Sequence, residues 1–337
     1  MNTITLTTII ILITVIIFVC LAKLEINSGI NYHEKLNPDL YMTPEIDKID
    51  LADENIKKGY LRAKNSKIVI CSLVRNNSSV VDKTKIRFEY IGSYFKDYKI
   101  VLFENDSSDN TRELISKWSD DNKNVILLNC CDMGSCDCKL KNKTGYTYGS
   151  YSSQRLARMA LYRQQYLNFV NKNFADYDYM LVVDFDLDGN CDIYGLFDSI
   201  AKDDWGAIFC NGRAPIPGCF GAVTLVYDSL AFLSNTSNYD DINFSIADIF
   251  YNTAYMELLI NTTHFGEVKS AFNGYGIYKI NVLKNCSYVG NDKICEHINL
   301  AKCINNKGEK LFLNSNWLGY FNRQGDDPYK LFVQLLS

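Results

Sequence analysis

The chain lacks any excess of positive charge: lysine and arginine are outnumbered by aspartate and glutamate, giving a formal net charge of −4 over 337 residues and a pI near 5.5. Without a basic field, binding to a nucleic acid backbone loses its usual electrostatic driving force, although a local pocket for a single diphosphate stays compatible with this charge. Histidine is scarce, with three residues, proline numbers only five, and no internal repeat is visible. Charge is missing altogether from Met1 to Ala22, where the run TIIILITVIIFVCLA is dense in isoleucine, leucine, valine and phenylalanine. Roughly 20 apolar residues cross a bilayer core, and this run has neither a basic segment before it nor a clear small-residue cleavage site after it. A retained membrane anchor over residues 1–22 is expected. The positive-inside rule counts Lys23 and Lys35 on the C-terminal side and favours the cytosol.

What the chain does have is enough apolar content, 47% hydrophobic against 22% charged, for one large core or two modest ones. Of the twelve cysteines, Cys71 and Cys210 sit in strand-like apolar runs and read as buried thiols. The cluster Cys130 to Cys138 has four cysteines in nine residues. Its spacing is compatible with local disulfides, free thiols or a zinc site, with no histidine nearby. Asn-x-Ser/Thr acceptor patterns at Asn76, Asn77, Asn105, Asn142, Asn235, Asn243, Asn261 and Asn285 lean toward a lumenal glycoprotein.

After the anchor, residues 23–66 are polar and read as a stem with some local helix, ahead of a folded domain over 67–337. From Lys67 the runs KIVICSLV, KIVLFEN, NVILLN and YMLVVDFD have the β-branched character of strands buried on both faces. Helix-compatible segments separate them, at about Asp82–Phe95, Asp109–Trp118 and Ser153–Asn171. That alternation is the signature of an α/β fold with a mainly parallel sheet, and such sheets bind ligands at the carboxyl ends of their strands. The second half offers further strands in WGAIFCNG, CFGAVTLVYDSLAFL, AFNGYGIYKI and KLFLN, consistent with a mixed sheet.

The segment VVDFDLDG, Val182 to Gly189, places three carboxylates two residues apart behind an apolar strand. A calcium loop would need glutamate at its twelfth position, which is Gly195. Phosphoaspartyl chemistry would use one aspartate as nucleophile and the next as acid, but belongs to the first strand of its sheet. A third reading is an Asp-x-Asp pair, Asp184 and Asp186, holding Mg²⁺ or Mn²⁺ against a nucleotide diphosphate, with Gly189 permitting the turn; taken alone, the tripeptide fits a solvated acidic turn equally.

In this order, VICSLVRN, FENDSSDNT, VVDFDLDG and SAFNGYGIY followed by CEH resemble the GT-A class of nucleotide-sugar glycosyltransferases over about residues 67–322. The likeness is greatest to the group that includes fungal capsule-associated mannosyltransferases. The resemblance implies a Rossmann-type sheet, a UDP- or GDP-sugar donor, a Mn²⁺ or Mg²⁺ ion, and a glycan or protein acceptor. It implies that Glu104 meets the base with Ser72 and Arg75 close by, and that Arg155 and Arg158 meet the diphosphate. The resemblance further implies that Asp184 contacts donor and metal, that Asp186 and His297 complete the metal site, and that Asp188 is a reserve ligand or ribose contact. The resemblance makes Glu296 the candidate base toward the acceptor hydroxyl. Such a base inverts the anomeric centre, whereas the mannosyltransferase likeness suggests retention. No histidine follows His297, which sets the chain apart from the class pattern at its C-terminal end. The rival readings are a phosphoaspartyl hydrolase and an inactive membrane-tethered glycan-binding protein.

Overall fold

The computed structural model describes residues 49–129, 153–187, 192–218, 221–239, 242, 246–290 and 294–320. The expected anchor, the Cys130 to Cys138 cluster and Asp188 lie outside the described residues. Among those described, no helix is long and apolar enough to cross a membrane.

The first half follows the expected alternation. Helix α1 (Glu54–Asn65) leads into β1 (Lys67–Val74), α2 (Val81–Ser93), β2 (Asp97–Glu104), α3 (Thr111–Asp121), β3 (Val125–Asn129), α4 (Ser153–Asn173) and β4 (Tyr179–Val183). The second half continues through α5 (Ile193–Ala201), β5 (Ala207–Gly218), β6 (Gly221–Val226), β7 (Leu233–Ser234), α6 (Ile246–Thr262), β8 (Phe265–Ser270) and β9 (Tyr275–Lys279). It closes with α7 (Ile280–Leu283), α8 (Glu296–Asn305) and β10 (Leu311–Tyr320).

One sheet runs in the order β3-β2-β1-β4-β9-β5-β10-β8-β7, with β6 paired to β5. Strands β1 to β4 are mutually parallel where they pair, and β9 enters antiparallel between β4 and β5. Because strand side chains alternate, β1 sends Ile68 and Ile70 to one face and Val69 and Cys71 to the other. One apolar layer is completed by Phe88 of α2, Trp118 of α3 and Phe197 of α5, the opposite one by Leu167 and Val170 of α4 and Ile298 of α8. A sheet buried on both faces explains the continuous apolar runs of β1, β2 and β4.

The chain leaves β1 toward β2 and β3, then returns to the other side of β1 as β4. Connections that depart in opposite directions open a crevice at the carboxyl ends of β1 and β4, and this switch point is where ligands of open α/β sheets bind. Arg75 and Asp184 follow those two strands directly.

One boundary moves. Residues 23–66 were expected to be a stem, yet α1 packs into the domain. Gly59 lies so close to α5 that a Cβ would sit 1.8 Å from the Phe197 carbonyl oxygen. Arg62 donates to the carbonyls of Ile200, Ala201 and Lys202 at the end of α5. Asp53 caps α1 by accepting from the Asn55 and Ile56 backbone N–H groups, so the domain begins at least this early.

Candidate active site

The acidic segment after β4 owes its geometry to α2. Phe185 and Leu187 are buried in the core, and their carbonyls accept from Thr84 Oγ1 at 3.0 Å and Arg87 Nη1 at 2.7 Å. With alternate residues pinned inward, Asp184 and Asp186 turn the other way, Asp186 exposed and Asp184 one-fifth exposed. The Asp184 N–H donates to the Gly274 carbonyl, which ties β4 to the AFNGYG loop. That loop turns on Asn273 and Gly274, both at positive φ, 55° and 85°.

Arg163 on α4 joins the two acidic groups that sequence reasoning placed apart. Its Nε donates to Glu296 Oε1 at 3.0 Å and its Nη2 to Asp184 Oδ1 at 3.3 Å. Nη1 donates to the Tyr166 hydroxyl at 3.2 Å, and the guanidinium lies over the Phe272 ring, 5.0 Å from its centroid. Glu296 opens α8, and its Oε2 has the Cys295 thiol at 3.4 Å. Burial pushes the Asp184 carboxyl up to about 6, with Arg163 pulling it down and Asp186 pushing it further up.

His297 stacks on Phe272 with ring centroids 3.9 Å apart, and neither ring nitrogen has a hydrogen-bond partner. Burial, helped by the charge of Arg163, holds it neutral, well below the usual imidazole range. Among the described residues, no three histidine, cysteine, aspartate or glutamate side chains gather to hold a metal. The His297 ring, expected as third ligand, is enclosed against Phe272. What remains fits a hard cation. Asp184 and Asp186 are oxygen donors whose charges oppose each other, Arg163 is shared between Asp184 and Glu296, and Mg²⁺ commonly rests on one or two carboxylates with phosphate and water completing its shell.

Other expectations change as well. The hydroxyl of Ser72 is fully buried and donates to the Val183 carbonyl at 2.6 Å, so it fixes the end of β4 instead of facing a nucleotide. Glu104 stands at the carboxyl end of β2, two strands from Asp184, but its side chain is enclosed. It accepts from the Ser107 N–H at 2.6 Å and forms a salt bridge to Arg112 Nη2 at 2.7 Å, organising the turn before α3. Arg75 is half-buried at the end of β1, where its N–H donates to Asn77 Oδ1. Arg158 is half-buried without a hydrogen bond or ion pair to the described residues, and the Arg155 side chain lies outside them. Among the described residues, the arginine that reaches Asp184 and Glu296 is Arg163. The signal for it was present: Leu156, Ala160, Arg163, Leu167 and Val170 form one buried stripe of α4 at helical spacing, with a single charged member.

No family model matches the chain, and no curated protein matches it. Solved structures to which the chain shows similarity include the mannosyltransferase PcManGT from Pyrobaculum calidifontis in complex with GDP-Man and Mn²⁺. It has a TM-score of 0.48 and 10% identity, covering 83% of this chain and 68% of that one. Another is S. aureus TarS 1-349 in complex with UDP-GlcNAc, with a TM-score of 0.42 and 13% identity, covering 78% of this chain and 60% of that one. No assignment of fold, residue or role here rests on these likenesses.

Proposed function

We propose that the chain is a metal-dependent glycosyltransferase that moves a sugar from a nucleotide-sugar donor to a hydroxyl of a glycan or protein acceptor. The observation that carries this reading is the placement of Asp184 at the β1/β4 switch point, tied through Arg163 to the buried Glu296. Asp184 and Asp186 would hold Mn²⁺ or Mg²⁺ with the donor diphosphate, a uridine or guanosine nucleotide. When bound, such an ion supplies positive charge for the departing nucleoside diphosphate. Glu296 Oε1 is engaged by Arg163, and Oε2, which accepts only the weak thiol donor of Cys295 at 3.4 Å, would accept the hydrogen bond of an incoming hydroxyl and take its proton. The bond from the anomeric carbon to the diphosphate breaks as the bond to the acceptor oxygen forms. This role for Glu296 entails inversion, and the anomer of the product, read by NMR, checks it.

In the same reading residues 1–22 anchor the chain in a membrane. The Cys286–Cys303 disulfide supports an oxidising compartment, hence the secretory lumen over the cytosol.

The test is thermal unfolding with Mn²⁺ across a panel of nucleotides and sugar nucleotides. One base type should stabilise the chain, by about 2.7 kcal/mol at 100 times its Kd. Hydrolysis of that sugar nucleotide should then be lost in Asp186→Asn. A chain stabilised by no nucleotide, with or without metal, contradicts the reading.

A further inference from the structure

We infer that Arg163 is a positioning residue for the transfer, holding Glu296 in a fixed relation to Asp184; this rests on the glycosyltransferase reading above. The guanidinium is held on each side by a different element: Nε by Glu296 at the start of α8, Nη2 by Asp184 beyond β4, and Nη1 by Tyr166 one turn along α4. Its face rests on Phe272 of the loop before β9, and the Tyr166 hydroxyl reaches the Tyr288 hydroxyl at 3.4 Å. Arg163 and Glu296 are both almost completely buried, so the acceptor-side carboxylate has little solvent to hold it and takes its direction from this fork. An ordinary structural ion pair needs one partner. Here a single planar cation spans two carboxylates from different elements, a geometry that a lysine ammonium, a point charge without a fork, does not reproduce.

The position itself argues the same way. Arg163 interrupts the buried stripe of α4, where an apolar residue would complete the core without burying charge. Placing the cation there brings the donor end and the acceptor end of the site under one rigid group, and small misplacements of a reacting group carry large rate costs.

The experiment uses the full chain and measures Mn²⁺-dependent hydrolysis of the preferred sugar nucleotide in wild type, R163K, E296Q and the double variant. R163K should keep its donor KM within about 3-fold and lose about 100-fold in kcat, since the charge stays and the fork goes. Added to E296Q, it should cost less than about 3-fold more, because its effect runs through Glu296. A wild-type kcat in R163K, or losses that multiply in the double variant, overturns the proposal. If R163K does not fold, Tyr166→Phe serves instead: about 5-fold lower kcat in the wild-type background and no change on E296Q, with equal losses in both overturning it. A wild type inert toward every sugar nucleotide sinks the enzyme reading together with this role, whereas an active wild type with an indifferent R163K sinks this role alone.

Discussion

At the scale of single residues, Asp184 has a pH signature. Its carboxyl sits at about 6 in the folded chain, above its unfolded value, with burial as the main cause. A carboxyl raised by folding favours the protonated form, so the stability linked to it is fully present below pH ~4 and is lost as pH climbs through about 6. Asp184→Asn should therefore raise the unfolding free energy by roughly 1–3 kcal/mol at pH 7.5 in EDTA, while abolishing turnover. At pH 4 the two proteins should denature alike in urea. His297→Phe should shift stability by about 1 kcal/mol and retain the Mn²⁺-dependent thermal shift, since the imidazole is enclosed against Phe272 with no bonded partner. Loss of that shift would restore His297 as a ligand. The Asp-x-Asp pair was readable because alternation behind an apolar strand is a local pattern. The link from Asp184 to Glu296 was not, because Arg163 meets them only after α4, β4 and α8 have packed. Arg155 and Arg158 drew attention as nearby charges, while Arg163 shared the buried stripe and its meaning was tertiary.

At the scale of elements, α1 decides where the domain begins. Gly59→Ala drives a Cβ into the Phe197 backbone, for which neither helix has room, and should cost about 1–3 kcal/mol in urea unfolding. An unchanged midpoint would return α1 to the stem. Strands β1, β2 and β4 were legible from sequence because burial on both faces demands unbroken apolar runs. Helix α5, IYGLFDSIA, went unread although Ile193, Leu196, Phe197, Ile200 and Ala201 keep the helical spacing, because a run of nine residues is short enough to pass for an apolar strand segment. Helix α6 is blurred in another way, since Phe250, Tyr251 and Leu258 are exposed on it. The stretch CFGAVTLVYDSLAFL reads as continuous strand but breaks at Asp228, whose φ is 62°, leaving β6 and the two-residue β7.

At the scale of the whole molecule, one sheet divides two apolar layers, and the site lies where helices from both layers converge on the ends of β1 and β4. The disulfide from Cys286 to Cys303 links the segment after α7 to α8, the helix that carries Glu296. It closes a separation of 17 residues, so Cys303→Ser should lower stability by about 3 kcal/mol, measured by denaturant unfolding without reductant. No change would mean that the bridge does not form in solution. The parallel half of the sheet could be inferred from strand–helix alternation. The insertion of β9 between β4 and β5 could not, because antiparallel pairing over that sequence distance leaves no local mark.

The most direct measurement is isothermal titration of the chain with sugar nucleotides in the presence of Mn²⁺, repeated on Asp184→Asn and Asp186→Asn. The account predicts micromolar binding of one donor that requires the metal and weakens at least about 30-fold in each variant, a loss of ~2 kcal/mol. Binding that ignores both substitutions, or no binding of any sugar nucleotide, would contradict it.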